Sequence, residues 1–157
     1  MLNQSDLHFL QEKIRDLKNA LFISLNSSVL RIPTTIISIV KTDDLGQLWF
    51  FVSRPKQFLH EFDSEFPARL EFFRKGKRFF VHVTGKAFII SDPEEINCLM
   101  EEEMMQQATD QLVLIKVKIQ KAEYFESAVP GERTTMKWWK NLQWLRPVST
   151  LSYKPMA

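Results

Sequence analysis

The stretch LRIPTTIISIVKTDDLGQLWFFVSRPK, residues 30–56, sets the frame for the whole chain. Two apolar runs, Thr34–Val40 and Gln47–Val52, flank the turn cluster Thr42-Asp43-Asp44-Leu45-Gly46. Runs of β-branched and aromatic residues on either side of such a turn predict a β-hairpin. The hairpin leads straight into Ser53-Arg54-Pro55-Lys56, and then Phe58, Leu59 and Phe62 predict a helix over about residues 55–63. The first N–H groups of a helix lack partners and carry the positive end of its dipole. A hydroxyl, a guanidinium and an ammonium at that place predict an anion seat at Ser53, Arg54 and Lys56. An ordinary helix cap is the plainer alternative.

Upstream, Ser5 or Asp6 can cap a helix, within residues 1–20, in which Leu7, Leu10, Ile14, Leu17 and Leu21 recur at helical spacing. Asp6 near its start and Lys18 near its end suit the dipole. A strand over Leu21–Ser28 follows, with Phe22, Ser24 and Asn26 alternating against Ile23 and Leu25. Downstream, Pro67 opens a strand over Ala68–Arg74, Lys75-Gly76-Lys77 is a turn, and Arg78–Ile90 is a long strand. His82, Thr84 and Lys86 share one face of it, while Val81, Val83 and Ala87 share the other. Gly85 predicts a bulge or a close backbone approach. Ser91-Asp92-Pro93-Glu94-Glu95 starts a helix that turns Ile96, Leu99 and Met100 inward and ends near Gln107. Asp110–Tyr124 is a strand with Val113, Ile115, Val117 and Ile119 on one face. In the aromatic tail, residues 125–157, Val129-Pro130-Gly131 is a turn. A short helix aligning Trp138, Leu142 and Leu145 follows, ended by Pro147. About six strands with three or four helices, in one domain spanning 1–157, predict an α+β fold with a curled antiparallel sheet.

Composition narrows the function classes. A net charge of +2, with basic residues scattered among acidic ones, gives no nucleic-acid footprint. No apolar stretch approaches the roughly 18–20 residues of a membrane span, and Met1–Asp6 has no signal-peptide character. With Cys98 as the one cysteine, no internal disulfide can form, and a reduced cytoplasmic protein is expected. Thirteen Phe and four Trp against four Gly suit a broad core, an oligomer interface or a ring-binding site. No glycine-rich nucleotide motif or Gly-x-Ser-x-Gly elbow occurs. His8, His60 and His82 have no metal-ligand spacing with one another or with Cys98. Cys98 reads as structural, Glu94-Glu95 as a solvated helix face, and Arg74–Arg78 as a solvated hairpin tip. No catalytic residue is identified, so any catalysis is expected to come from a bound cofactor.

Gly46-Gln47-Leu48-Trp49-Phe50-Phe51-Val52-Ser53-Arg54, then a helix, a strand, Phe80-Val81-His82-Val83-Thr84-Gly85-Lys86-Ala87 and Asp92-Pro93-Glu94-Glu95 together carry a resemblance. In their order and spacing they resemble the pyridoxamine-5′-phosphate-oxidase-like flavoproteins, above all the small general-stress-protein branch, from about Leu21 to Phe125. The resemblance implies a split β-barrel homodimer, of about six antiparallel strands with peripheral helices, that holds FMN in two clefts at the subunit interface. It implies a strand over Arg31–Ile36, with Arg31, Thr34 and Thr35 running along the flavin, and Phe51 and Val52 beside its ring. Ser53, Arg54 and Lys56 are implied to hold the phosphate. His82 and Thr84 are implied to lie near the ring, in some members from the partner subunit. The function implied is an FMN-dependent oxidoreductase acting on a small substrate or reduced nicotinamide. Ile32 stands where the family often has Arg, and Val52 where it often has Thr. These departures set out the alternative, a non-catalytic split-barrel protein that has lost FMN or binds another planar ligand. An interaction protein that uses its aromatic surface to dimerise is a third reading. A true pyridoxamine phosphate oxidase is not expected, because no basic cluster for a substrate phosphate stands near the C-terminus.

Overall fold

In a computed structural model, which describes residues 4–99, 111–127 and 145–152, helix α1 (Gln4–Leu17) buries Leu7, Leu10, Ile14 and Leu17. Lys18 then takes the left-handed conformation (φ 65°) and turns the chain into β1 (Asn19–Ser24), so Leu21 belongs to the strand and not to the helix. The remaining elements are β2 (Thr35–Thr42), β3 (Gln47–Ser53), β4 (Glu65–Phe72), β5 (Phe79–Ile90), α2 (Pro93–Leu99), β6 (Leu112–Ser127) and β7 (Leu145–Ser152). Asp43 shapes the β2–β3 turn by accepting the N–H groups of Leu45 and Gln47 on Oδ1, at 3.1 and 2.8 Å. The amide of Gln11 in α1 donates to the Asp43 carbonyl and ties the helix to this hairpin.

The strands run in the order β3-β2-β1-β4-β5-β6-β7, and β3 also pairs with β6. Every pairing is antiparallel. The β3–β6 ladder closes six strands into a barrel and leaves β7 on the remaining edge of β6. The 16 residues of β6 make this possible: its first half, Leu112–Lys118, pairs with β3, and its second half, Lys121–Ser127, pairs with β7. Inside, Phe22, Phe50, Leu70, Phe72, Val83, Ile115 and Ile119 form one core with Leu10, Ile14 and Leu17 of α1. Each such burial contributes about 1.5–3 kcal/mol.

Gly85 is both a bulge and a close approach. The β5–β6 register shifts between Thr84 and Gly85, and a Cβ at Gly85 would lie 2.1 Å from the Lys118 carbonyl oxygen. Pro67 acts on the neighbouring ladder. Its carbonyl accepts the Leu25 N–H at 2.8 Å, but it has no N–H to return, and β1 ends at Ser24.

Several expected boundaries move. The helix over residues 55–63 is absent. The chain makes one 3-10 turn, Leu59–Glu61, whose Glu61 carboxylate accepts the Phe58 N–H at 3.1 Å. Phe58 and Phe62 both take extended angles (ψ 138° and 153°), Phe62 packing in the core, and this limits the segment to that one turn. Residues 31–34 lie outside β2, and β4 starts two residues before Pro67. Leu145 and Pro147 belong to β7, not to a helix. Pro147 sits opposite Phe125 on this edge strand, where a missing N–H is tolerated. Ile96 and Leu99 are half-buried, Cys98 is exposed, and Glu95 accepts the Trp49 indole N–H at 2.9 Å rather than standing in solvent. Met100–Asp110, Val129–Gly131, Trp138 and Leu142 lie outside the described residues. No helix among the described residues is long and apolar enough to cross a membrane.

Candidate functional site

Among the described residues, the barrel wall parts between β2 and β3. The β2–β3 ladder runs from Thr42 opposite Leu48 to Ile39 opposite Phe50, and no further among the described residues. Beyond it β2 gives Thr35–Ser38 to β1, while β3 gives Phe51–Ser53 to β6. Thr35 and Ser53 each lie three or four residues past the last rung, so about 10–13 Å beyond it along their strands. The two strand ends thus part across an opening, with Arg31, Thr34 and Thr35 at the β2 rim and the expected anion seat, Ser53, Arg54 and Lys56, at the β3 rim.

On the β3 rim, Ser53, Arg54 and Lys56 are exposed, and Phe51 is half-buried on the outer face. The Arg54 N–H donates to the Gln111 carbonyl at 2.7 Å, so it is spent. With no helix behind it, an anion seat here rests on the Ser53 hydroxyl and on the Arg54 and Lys56 side chains, not on a helix N-terminus. On the β2 rim, Arg31 and Thr34 are exposed and Thr35 is half-buried. Ile32 is 3% exposed and packs in the core. The side chain at position 32 therefore anchors the segment of residues 25–34 that leads into β2, and the guanidinium one residue earlier points outward. Val52 is buried opposite Val113, with its side chain in the core. Among the described residues, Arg31, Arg54 and Lys56 make no ion pair. Elsewhere Arg69 pairs with Glu71 at 3.1 Å, Lys86 with Glu65 at 2.6 Å, and Lys121 with Glu123 at 2.5 Å. The hairpin tip is also engaged, with Lys77 on Asp16 at 3.0 Å and Arg74 on the Asp16 carbonyl at 3.3 Å.

His82 and Thr84 stand apart from this opening. They lie on the outer face of β5, between β4 and β6, with His82 opposite Glu71 and Glu123. Burial pushes the His82 imidazole below its ordinary pKa, and Glu71 and Glu123 pull the other way. Phe80 and Phe125 lie within 5.3 Å of the His82 ring, centroid to centroid. One outward row joins the two regions across the sheet: Ile36, Leu21, Glu71, His82 and Glu123.

Sequence reasoning missed a polar cluster beside the β2 rim. Asn26 and Ser28 both donate to Asp63 Oδ2, the former at 3.1 Å, and Ser24 donates to Asn26 at 2.5 Å. The available signal was the inward period of β1, where Phe22 is followed by the polar Ser24 and Asn26.

Comparisons with known proteins fit this architecture. The family profile described as pyridoxamine 5′-phosphate oxidase like matches residues 6–142. A general stress FMN/FAD binding protein from Xanthomonas citri superposes with a TM-score of 0.60 at 15% identity, covering 85% of this chain and 99% of that one. A protein from Clostridium acetobutylicum, related to general stress protein 26 of B. subtilis and assigned to the pyridoxinephosphate oxidase family, gives 0.60 at 12% identity, covering 80% and 91%. A pyridoxamine 5′-phosphate oxidase-related, FMN binding protein from Nostoc punctiforme gives 0.50 at 10% identity, covering 96% and 94%. No curated protein sequence matches the chain. At these identities the structural likeness establishes the split-barrel fold, and the profile match over most of the sequence establishes kinship: the chain belongs to the pyridoxamine 5′-phosphate oxidase-like family.

Proposed function

We propose that the chain binds a flavin, FMN, at the β2–β3 opening, and that it works as a homodimeric oxidoreductase on a small substrate or reduced nicotinamide. One observation carries the reading: Arg31, Arg54 and Lys56, without ion pairs among the described residues, and the Ser53 hydroxyl line the place where β2 and β3 part. Such a set suits a phosphate dianion, which takes charge-assisted hydrogen bonds from guanidinium, ammonium and hydroxyl donors. Two of the solved relatives are described as FMN or FMN/FAD binding, which supports the same ligand here.

Ser53, Arg54 and Lys56 would hold the phosphate. Thr34, Thr35 and Arg31 would line the other rim, and the half-buried Phe51 would cover one side of the ring. A bound isoalloxazine supplies the two-electron chemistry that the side chains themselves lack. The homodimer rests on the outer face of β1 and β2, where Ile36 is 69%, Val40 47% and Leu25 44% exposed. Because Ile36 and His82 lie in one outward row, an isologous pairing of this face can bring His82 and Thr84 of one copy to the Ile36 end of the other. A cytoplasmic location belongs to the same proposal and accords with the exposed free thiol of Cys98; recovery in a membrane or extracellular fraction would contradict it.

The test is direct. Purified protein should carry a flavin's visible absorbance or quench the fluorescence of added FMN, and reduced nicotinamide should bleach the bound flavin. Absence of binding at high micromolar FMN sinks the proposal. A non-catalytic member of the same fold is the second reading, favoured by the burial of Ile32 and Val52, where polar contacts to the ligand are lost. Binding of FMN or another planar ligand without reduction by nicotinamide or any small donor would select it.

A further inference from the structure

The polar cluster beside the opening connects its two rims. Ser24 and Asn26, 7% and 9% exposed, carry the inward face of β1 into the strap of residues 25–34. Ser24 Oγ donates to Asn26 Oδ1 at 2.5 Å, Asn26 Nδ2 donates to Asp63 Oδ2 at 3.1 Å, and Ser28 Oγ donates to that same oxygen. Asp63 follows Phe62, which is 7% exposed and packed in the core, on the segment that leads from the Ser53–Lys56 loop into β4. At the other end of the strap the buried Ile32 is the second anchor. Arg31 and Thr34 flank that anchor and remain exposed. The hydrogen bonds from Ser28 and then Asn26 hold the Asp63 carboxyl below its ordinary pKa, as befits a carboxylate kept charged to receive them.

We propose that Asp63 is a positioning residue of the flavin site, setting the spacing between the strap that carries Arg31 and Thr34 and the loop that carries Ser53, Arg54 and Lys56. This rests on the flavin reading above. Asp63 touches no ligand in this role. It removes freedom from the strap before the ligand arrives, and so lowers the ordering that binding requires.

Two measurements on the full chain test it. Hydrogen exchange of amides 25–34 without flavin, and FMN affinity by fluorescence quenching, are compared between wild type and Asp63→Ala. The expected result is exchange in the strap faster by about tenfold, amides of β5 and β6 unchanged, and FMN affinity weaker by about tenfold, the scale of one lost charge-assisted hydrogen bond. Ser28→Ala, a milder change at one donor, should move both readouts the same way by less. Asn26→Asp alone sets two carboxylates together and should weaken FMN. Asn26→Asp combined with Asp63→Asn reverses donor and acceptor and should restore affinity and strap exchange together, which assigns the effect to the contact between these two side chains. Unchanged strap exchange or unchanged FMN affinity in Asp63→Ala overturns the positioning role. Wild-type protein that fails to bind FMN overturns the flavin reading instead, and strap exchange then shows separately whether Asp63 holds the strap.

Discussion

The β2–β3 opening and the β4–β5–β6 wall use the same antiparallel chemistry and reach opposite ends. In the wall, β5 has a partner on each side along its length, and Gly85 lets two backbones close where any Cβ would collide. Three of its outward cations, Arg69, Lys86 and Lys121, are matched by carboxylates on the same or the neighbouring strand. At the opening each strand turns to its other neighbour, and Arg31, Arg54 and Lys56 make no ion pair among the described residues. The difference teaches where to look for function. Exposed lysines and arginines occur in both regions, but several of those in the wall are held by carboxylates of the chain, and in the flavin proposal those of the opening meet a phosphate.

The comparison can be broken most severely at the wall. Gly85→Val should cost about 3 kcal/mol or more, because the obstructing atoms are backbone and cannot swing away. A urea midpoint lowered at constant slope would show it, and a normal midpoint would mean that β5 and β6 do not approach as described.

The next effect belongs to the opening. Arg54→Ala with Lys56→Ala should weaken FMN by about 100-fold or more, since a charged hydrogen bond contributes roughly 1.5–3 kcal/mol. Stability should move by less than about 0.5 kcal/mol, because both side chains are exposed and unpaired. A titration showing wild-type affinity in the double variant would remove the anion seat.

A smaller change sharpens the relation between the two regions. Ile36→Glu places a charge on the exposed apolar face of β2 and should shift a dimer toward monomer in sedimentation analysis, with thermal stability at high dilution nearly unchanged. A variant that remains fully dimeric would move the interface elsewhere.

The gentlest test is pH. Burial lowers the folded-state pKa of His82 from 6.5, so below that value the folded protein binds fewer protons than the unfolded chain. The stability linked to His82 is present in full above about pH 6.5 and falls away as pH drops through the window beneath it. His82→Gln should flatten this limb of the melting-temperature profile. An equal slope in both proteins would assign it to another group.

Much of the fold was legible because its signals are local. The stripe of α1, the alternation of β5 and β6, the Asp43–Gly46 turn and the glycine at the bulge each follow from periods and backbone limits contained in a few residues. The errors share a cause as well. Phe58, Leu59 and Phe62 have helical spacing, yet Phe58 and Phe62 take extended angles, Phe62 to pack in the barrel core, and a single turn is left between them. Leu145 and Pro147 read as a helix end because nothing nearby shows that β6 is long enough to need another partner on its edge. The Asp63 cluster was invisible for a similar reason, since its members are 35 and 37 residues apart in the chain.

By itself, then, the sequence determined where β1 to β6 fall to within a few residues, which face of each meets the core, and the family to which their order points. Those properties arise from side-chain period and turn chemistry within short windows. Only the tertiary structure decided that β3 closes on β6, that the wall parts between β2 and β3, and that Ile32 turns inward while Arg31 faces out. It also decided that Arg31, Arg54 and Lys56 make no ion pair among the described residues. Each of these depends on which distant strands share a ladder, and pairing over long separations is settled by the packing of the whole core.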